Sequence, residues 1–166
     1  MKKAEEVARE EIRREAIRER TGALIDRFQG RTARVGKTEP VSACLDADVL
    51  IAGLFSRTGA SHAILVLGEL GLLALVLPEA AVHEVRRNLS TKLPEALPLF
   101  EEFLRSVPVR IYRPTAQDRE RAHSLADPKD VPILAAAIGT GAPLLVTHNG
   151  RHLTGRPCPS VLFLRR

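Results

Sequence analysis

Tryptophan is absent from this chain, and five phenylalanines and one tyrosine are its only aromatic residues. A core built around large rings is therefore excluded, and Leu, Val, Ile and Ala must supply it. Cysteine is almost as scarce. Cys44 and Cys158 lie far apart and form no Cys-x-x-Cys motif. No structural disulfide is expected, a reducing compartment is, and Cys44 reads as a small core residue inside an apolar stretch. The longest apolar run, Ala63 to Leu77, has 15 residues and is interrupted by Glu69 and two glycines. A membrane helix needs about 20, so no membrane partner is expected. The opening MKKAEEVAREE leads into more charge rather than an apolar segment, so no secretory signal is expected either. The expected location is cytoplasmic. Internal repeats are missing, and the charged start is the one compositionally biased segment.

What is present is charge and alternation. With 166 residues the chain can bury a sizeable core in one domain plus an appendage. Its net charge of +5 and pI near 9.8 favour a polyanionic partner such as nucleic acid. The excess is uneven: residues 1–40 hold 11 Lys/Arg against 8 Asp/Glu. Residues 4–28 read as a charged helix, with Glu5 and Arg9, and Glu10 and Arg14, at stabilising i,i+4 spacing. QGRTARVGKTEP reads as a linker. The expected organisation is a charged helical arm and linker over 1–40 and a globular domain over 41–166.

From Val41 onward strands and helices alternate. Strands are expected at VSACLD, LLALVL, VRIY, PLLVT and VLFL. Helices are expected from Gly59 to Leu70 and at PEAAVHEVRRNL, PEALPLFEEFLRSV, TAQDRERAHSLA and VPILAAAIGTG. Uniformly apolar strands separated by helices imply a parallel sheet covered on both faces. The expected fold is thus α/β, three layers with a central parallel sheet of about five strands, preceded by the charged helix. Ligands of such sheets bind at the carboxyl ends of strands, near a topological switch point. Asp46 closes one strand, and Thr147, His148 and Asn149 follow another.

Within CLDADVLIAGLF, Asp46 and Asp48 stand in an otherwise apolar run that reads as buried strand. Two carboxylates there suggest a bound cation. Glu84 alone reads as a solvated helix residue, and Asp127 and Asp130, flanking Pro128, as helix caps. Taken together, an Asp ending the first strand, a Glu after the second and an Asp before the fourth make an oxygen-rich site for a hard divalent cation.

These segments resemble the PIN-domain family of nucleases. LDADVLIAGLFS carries the leading acid, Asp46; LPEAAVHEVRRNL carries Glu84; DPKDVPILAAAIGTGAPLLVTHNGRHL carries Asp130 and the strand ending in Thr147. The resemblance runs from about Val41 to the C-terminus. It implies a PIN-like fold and a metal-dependent ribonuclease in which Asp46, Glu84 and Asp130 are catalytic and hold Mg²⁺ or Mn²⁺, with Asp48, Asp127 and Asn149 as further candidate ligands. It also implies a toxin of a toxin–antitoxin pair, with single-stranded RNA as substrate, an antitoxin protein as partner, and a second copy of the chain as another candidate partner. Arg86, Arg87, Thr147 and Arg151 are the candidate contacts to RNA. The chain departs from the family at two places. Asp48 stands where the first motif commonly has Asn, and Asn149 where a fourth acid commonly follows the last strand.

The amide at Asn149 lowers the site's charge by one unit, which supports an alternative, a weakened nucleic-acid-binding or scaffold protein with the same fold. His148 and His152 share the i,i+4 spacing of a zinc pair, but Asn149-Gly150 between them favours a turn. A phosphoacceptor receiver domain would need a lysine after its last strand, and no Lys occurs beyond Lys129.

Overall fold

A computed structural model of the chain describes residues 39–56 and 58–148, together with the backbone of a strand at 162–164. The expected arm helix over 4–28 lies outside the described residues.

Five strands, β1 (Val41–Leu45), β2 (Leu73–Pro78), β3 (Val109–Tyr112), β4 (Leu144–Val146) and β5 (Leu162–Leu164), form one sheet in the order β3-β2-β1-β4-β5. Every pairing is parallel, with Cys44 opposite Val76 and Leu45 opposite Val146. Between them run α1 (Ala47–Phe55), α2 (Ala60–Glu69), α3 (Glu79–Lys92), α4 (Leu97–Ser106), α5 (Ala116–His123) and α6 (Val131–Thr140), with a 3₁₀ turn at Pro94–Ala96 before α4.

Side chains alternate along the strands, and so does the core. Ala43, Leu45, Leu75, Leu77 and Val146 join Val49, Leu50, Leu65, Val82, Val85, Phe100 and Phe103 from α1 to α4. Cys44, Val76 and Leu145, one residue out of step, join Ala122, Leu134, Ala135 and Ala136 from α5 and α6. The sheet is thus covered on both faces, as the uniformly apolar strands require. The small residues of α6 let it lie close to the sheet, and Gly141 ends that helix at φ 67, a conformation favouring glycine. Gly68 allows a similar approach: a β-carbon there would stand 2.2 Å from Leu75 Cδ1.

One segment differs from expectation. CLDADVLIAGLF is not a buried strand. The chain leaves the sheet after Leu45, turns at Asp46 and enters α1, so Asp48 lies in the first helical turn and is exposed. The continuous apolar pattern arises because α1 packs between sheet and α2 and buries Ala47, Val49, Leu50 and Gly53. Asp48 needs no cation to be tolerated there, since an acid in a helix's first turn is favoured by the helix dipole.

Candidate active site

The sheet reverses its order between β1 and β4, which makes the gap beyond their carboxyl ends the switch point. Asp46 and Thr147 are the residues that follow these two strands. The Asp46 N–H donates to the Val146 carbonyl at 3.0 Å, extending the ladder by one rung. The Asp46 carbonyl accepts from Val49 and Leu50 N–H, both at 3.1 Å, which begins α1.

The Asp46 carboxylate is fixed at both oxygens. Oδ1 accepts from the Ala47 N–H at 2.6 Å, and Oδ2 accepts from the Thr147 hydroxyl at 2.7 Å. Each oxygen keeps lone-pair capacity for a further partner. Burial pushes the Asp46 pKa up, the bonds from Thr147 and Ala47 hold it down, and the charges of Asp48 and Glu84 push it up again. Three acids from β1's end, α1 and α3 therefore share one electrostatic neighbourhood. Beside them the Cys44 thiol is pushed up to about 12 by burial and by the Asp46 charge.

Asp130 stands at the N-cap position of α6 yet makes no side-chain cap bond. Its Oδ2 is buried and has no hydrogen-bond partner. An unpaired buried polar atom costs about 1–3 kcal/mol, so the capping role expected from sequence does not account for this acid. Asp127, exposed, accepts through its backbone carbonyl from the N–H groups of Asp130 and Val131 and shapes the turn into α6. Glu84 is half-buried on α3.

Among the described residues, no three acidic, histidine or cysteine side chains already stand as a complete ligand set. The donors nevertheless suit a hard cation of the Mg²⁺ type, which takes one or two carboxylates and keeps several waters. An orphaned oxygen on Asp130 and like-charge crowding at Asp46 are both conditions that a divalent ion would relieve.

The expected RNA contacts fare differently from one another. Arg86 makes a two-pronged bond to Glu101 on α4, Nε to Oε1 at 2.7 Å and Nη2 to Oε2 at 3.0 Å. Its guanidinium fork thus ties α3 to α4. Arg87 is exposed. Thr147 is buried against Asp46. Asn149, Arg151 and His152 lie outside the described residues.

Sequence reasoning overlooked Ser61 and the partner of His148. His148 Nε2 and the Ser61 hydroxyl lie 2.7 Å apart, a hydrogen bond whichever of them carries the shared proton. They are 87 positions apart in the chain, and no spacing rule connects them.

A family model described as "PIN domain" matches residues 42–151. The chain belongs to the PIN-domain family. The match takes in β1 through β4 and hence Asp46, Glu84, Asp130 and Thr147 together, and PIN domains are in general nucleases. A similar fold is seen in a solved structure, the crystal structure of VapBC2 from Rickettsia felis bound to a DNA fragment from their promoter. The similarity covers 76% of this chain and 99% of that one, at 14% identity and a TM-score of 0.60. No curated protein matches this PIN domain in sequence.

Proposed function

We propose that this PIN domain is a metal-dependent ribonuclease, the toxin half of a toxin–antitoxin pair, acting in the cytoplasm on single-stranded RNA. The observation that carries the reading is the buried, unpartnered Asp130 Oδ2 in a chain whose other acids crowd Asp46 at the switch point. Asp46, Glu84 and Asp130 would hold the Mg²⁺ or Mn²⁺ ion. Such an ion polarises a phosphate oxygen and lowers the pKa of an attacking water.

The chain's own residues prepare that chemistry. The ladder bond to Val146 and the start of α1 fix the backbone of Asp46, and the Thr147 hydroxyl fixes its carboxylate. Pre-set geometry of this kind avoids reorganisation when substrate binds. Arg87, exposed near Glu84, and Arg151 supply positive charge for the RNA backbone. Arg86 contributes less, because its fork is already paired.

The neighbouring solved structure is of VapBC2 on a promoter DNA fragment. Its likeness to this chain supports a protein partner here too, an antitoxin. A second reading, a nucleic-acid-binding scaffold, is favoured by Asn149, an amide where a fourth acid would add charge to the site.

Isothermal titration with Mn²⁺, paired with an RNA cleavage assay, tests both. Wild-type protein should bind the ion and cut RNA, and Asp46→Asn should do neither while remaining folded. RNA binding without cleavage at any Mn²⁺ concentration would establish the scaffold. Undiminished cleavage by Asp46→Asn, with contaminating nuclease excluded, would remove Asp46 from the site.

A further inference from the structure

Beside the acids the structure holds a pocket of about 230 Å³, between α1, the start of α2 and the end of β4. Ala52, Ile64 and Val146 give it apolar walls, while Ser61, Thr147 and His148 bring polar atoms into it. Thr147 belongs to both places, since its hydroxyl donates to Asp46. A group seated in the pocket is therefore next to whatever the acids act upon.

Its size and lining narrow the choice of occupant. Pockets for drug-sized ligands run from about 300 Å³ upward, so this one suits a single flat ring system, not two stacked nucleotides. Among the described lining residues there is no Lys, Arg, Asp or Glu, and Ala52, Ala60, Ile64 and Val146 give apolar surface beside the polar groups. That composition suits a ring with a polar edge. Ser61 is buried, only 9% exposed, and its hydroxyl is engaged by His148. Because hydroxyl and imidazole can each donate or accept, the pair can meet a donor or an acceptor on a ligand's edge. Sequence-specific recognition of RNA works on unstacked bases, read by hydrogen bonds to their edges and by stacking, histidine included.

We propose that this pocket receives one unstacked nucleobase of the strand lying over the acids, with Ser61 and His148 reading its edge and so setting where the strand is cut. The proposal rests on the ribonuclease reading for the identity of the strand, but its test requires no cleavage.

Fluorescence anisotropy with short homopolymers of rA, rC, rG and rU, in EDTA, measures base preference without cutting. Wild-type protein should favour one base over the weakest by about tenfold, in line with the energy of seating a base on a protein surface. Ala60 lines the pocket and is exposed at the start of α2, so Ala60→Trp fills the space with little demand on the core. That variant should bind all four homopolymers alike, at the level of wild type's weakest. Ser61→Ala should narrow the preference several-fold, and thermal melts should show both variants folded. Equal wild-type affinities, no binding of any homopolymer, or a preference untouched by Ala60→Trp would overturn the proposal. A wild-type preference lost in Ala60→Trp, together with no cleavage in Mn²⁺, would keep the pocket and refute the nuclease.

Discussion

Asp130 is expensive where it stands. An Asp at an N-cap position ordinarily accepts from the helix's first N–H groups and stabilises it by about 1 kcal/mol. Here the side chain makes no such bond, and one oxygen is buried without a partner. Asp130→Ala should therefore leave metal-free stability unchanged or raise it by about 1 kcal/mol, the low end of the cost of an unpaired buried polar atom, as read by urea unfolding in EDTA. Mn²⁺ affinity should fall in the same variant. A loss of stability comparable to that of a removed cap would show that Asp130 is structural after all. Cys44 gives the opposite lesson about a reactive group. With its thiol pushed up to about 12 and its sulfur 3.7 Å from the Ile133 carbonyl, it is almost wholly protonated at pH 8. In a Cys158→Ser background, which leaves Cys44 as the one thiol, a thiol reagent at pH 8 should leave the folded protein unmodified and label it once urea opens the core; rapid labelling of the native state would contradict the burial of Cys44.

At the scale of elements, the sequence is legible where the physics is local and opaque where it is not. The strands show because a sheet covered on both faces demands continuous apolar runs, and all five expected strands are present. The helices over Ala60–Glu69, Glu79–Lys92 and Val131–Thr140 show because their breakers sit at their ends. Alpha-1 was hidden by that same logic: a helix buried on several sides carries no polar stripe, so its nine residues extend the apolar run of β1. Asp46 and Thr147 are placed by adjacent strands and could be paired from the topology alone. The Ser61–His148 and Arg86–Glu101 pairs depend on how α2 and α4 settle against their neighbours, which no periodicity encodes.

The join of β3, α5 and α6 belongs to this second kind, and it carries its own pH dependence. Asp118, buried at the start of α5, accepts from the Thr115 hydroxyl, the Thr115 N–H and the Tyr112 hydroxyl. Those bonds, the Thr115 hydroxyl first, hold its carboxyl below the ordinary value of 3.8 against the opposing effect of burial. Stability from this carboxylate is thus present above the unfolded pKa and is lost as pH falls through the lower folded value. Asp118→Asn should cost about 1.5–3 kcal/mol at pH 7, the scale of a hydrogen bond to a charged group. The gap from wild type should close on acidification below about pH 4, when both proteins are followed by urea unfolding. A gap constant from pH 7 to pH 3 would mean that the carboxylate's charge is immaterial. Gly139 on α6 makes room for this cluster, since a β-carbon there would lie 2.5 Å from the Tyr112 hydroxyl and 2.6 Å from Asp118 Oδ2. Gly139→Ala should destabilise by about 1–3 kcal/mol, as overpacking does, and should do so less in an Asp118→Ala background.

For the whole molecule the outstanding question is what residues 1–38 do. Among the described residues, two core clusters cover both faces of the sheet from Ala43 onward, apolar burial of the size a domain needs to fold. Deleting 1–38 should leave a cooperatively folding domain. The deletion removes 11 of the 25 basic residues and seven of the 20 acidic ones, lowering the net charge from +5 to +1. If the arm's positive charge meets RNA, affinity should drop and its dependence on salt should flatten, because fewer counterions are released on binding. If instead Val7, Ile12, Ile17 and Leu24 pack on another chain, truncation should change the oligomeric state and leave the salt slope alone. Anisotropy titrations at several salt concentrations and light scattering on the same two proteins separate these outcomes. The acids proposed to hold the metal provide an internal control: Mn²⁺ affinity should be equal in full-length and truncated protein, since Asp46, Glu84 and Asp130 all lie in the part that remains. A change in metal affinity on truncation would show that the arm reaches the switch point itself, and the acids at the end of the sheet would then not be the whole of the site.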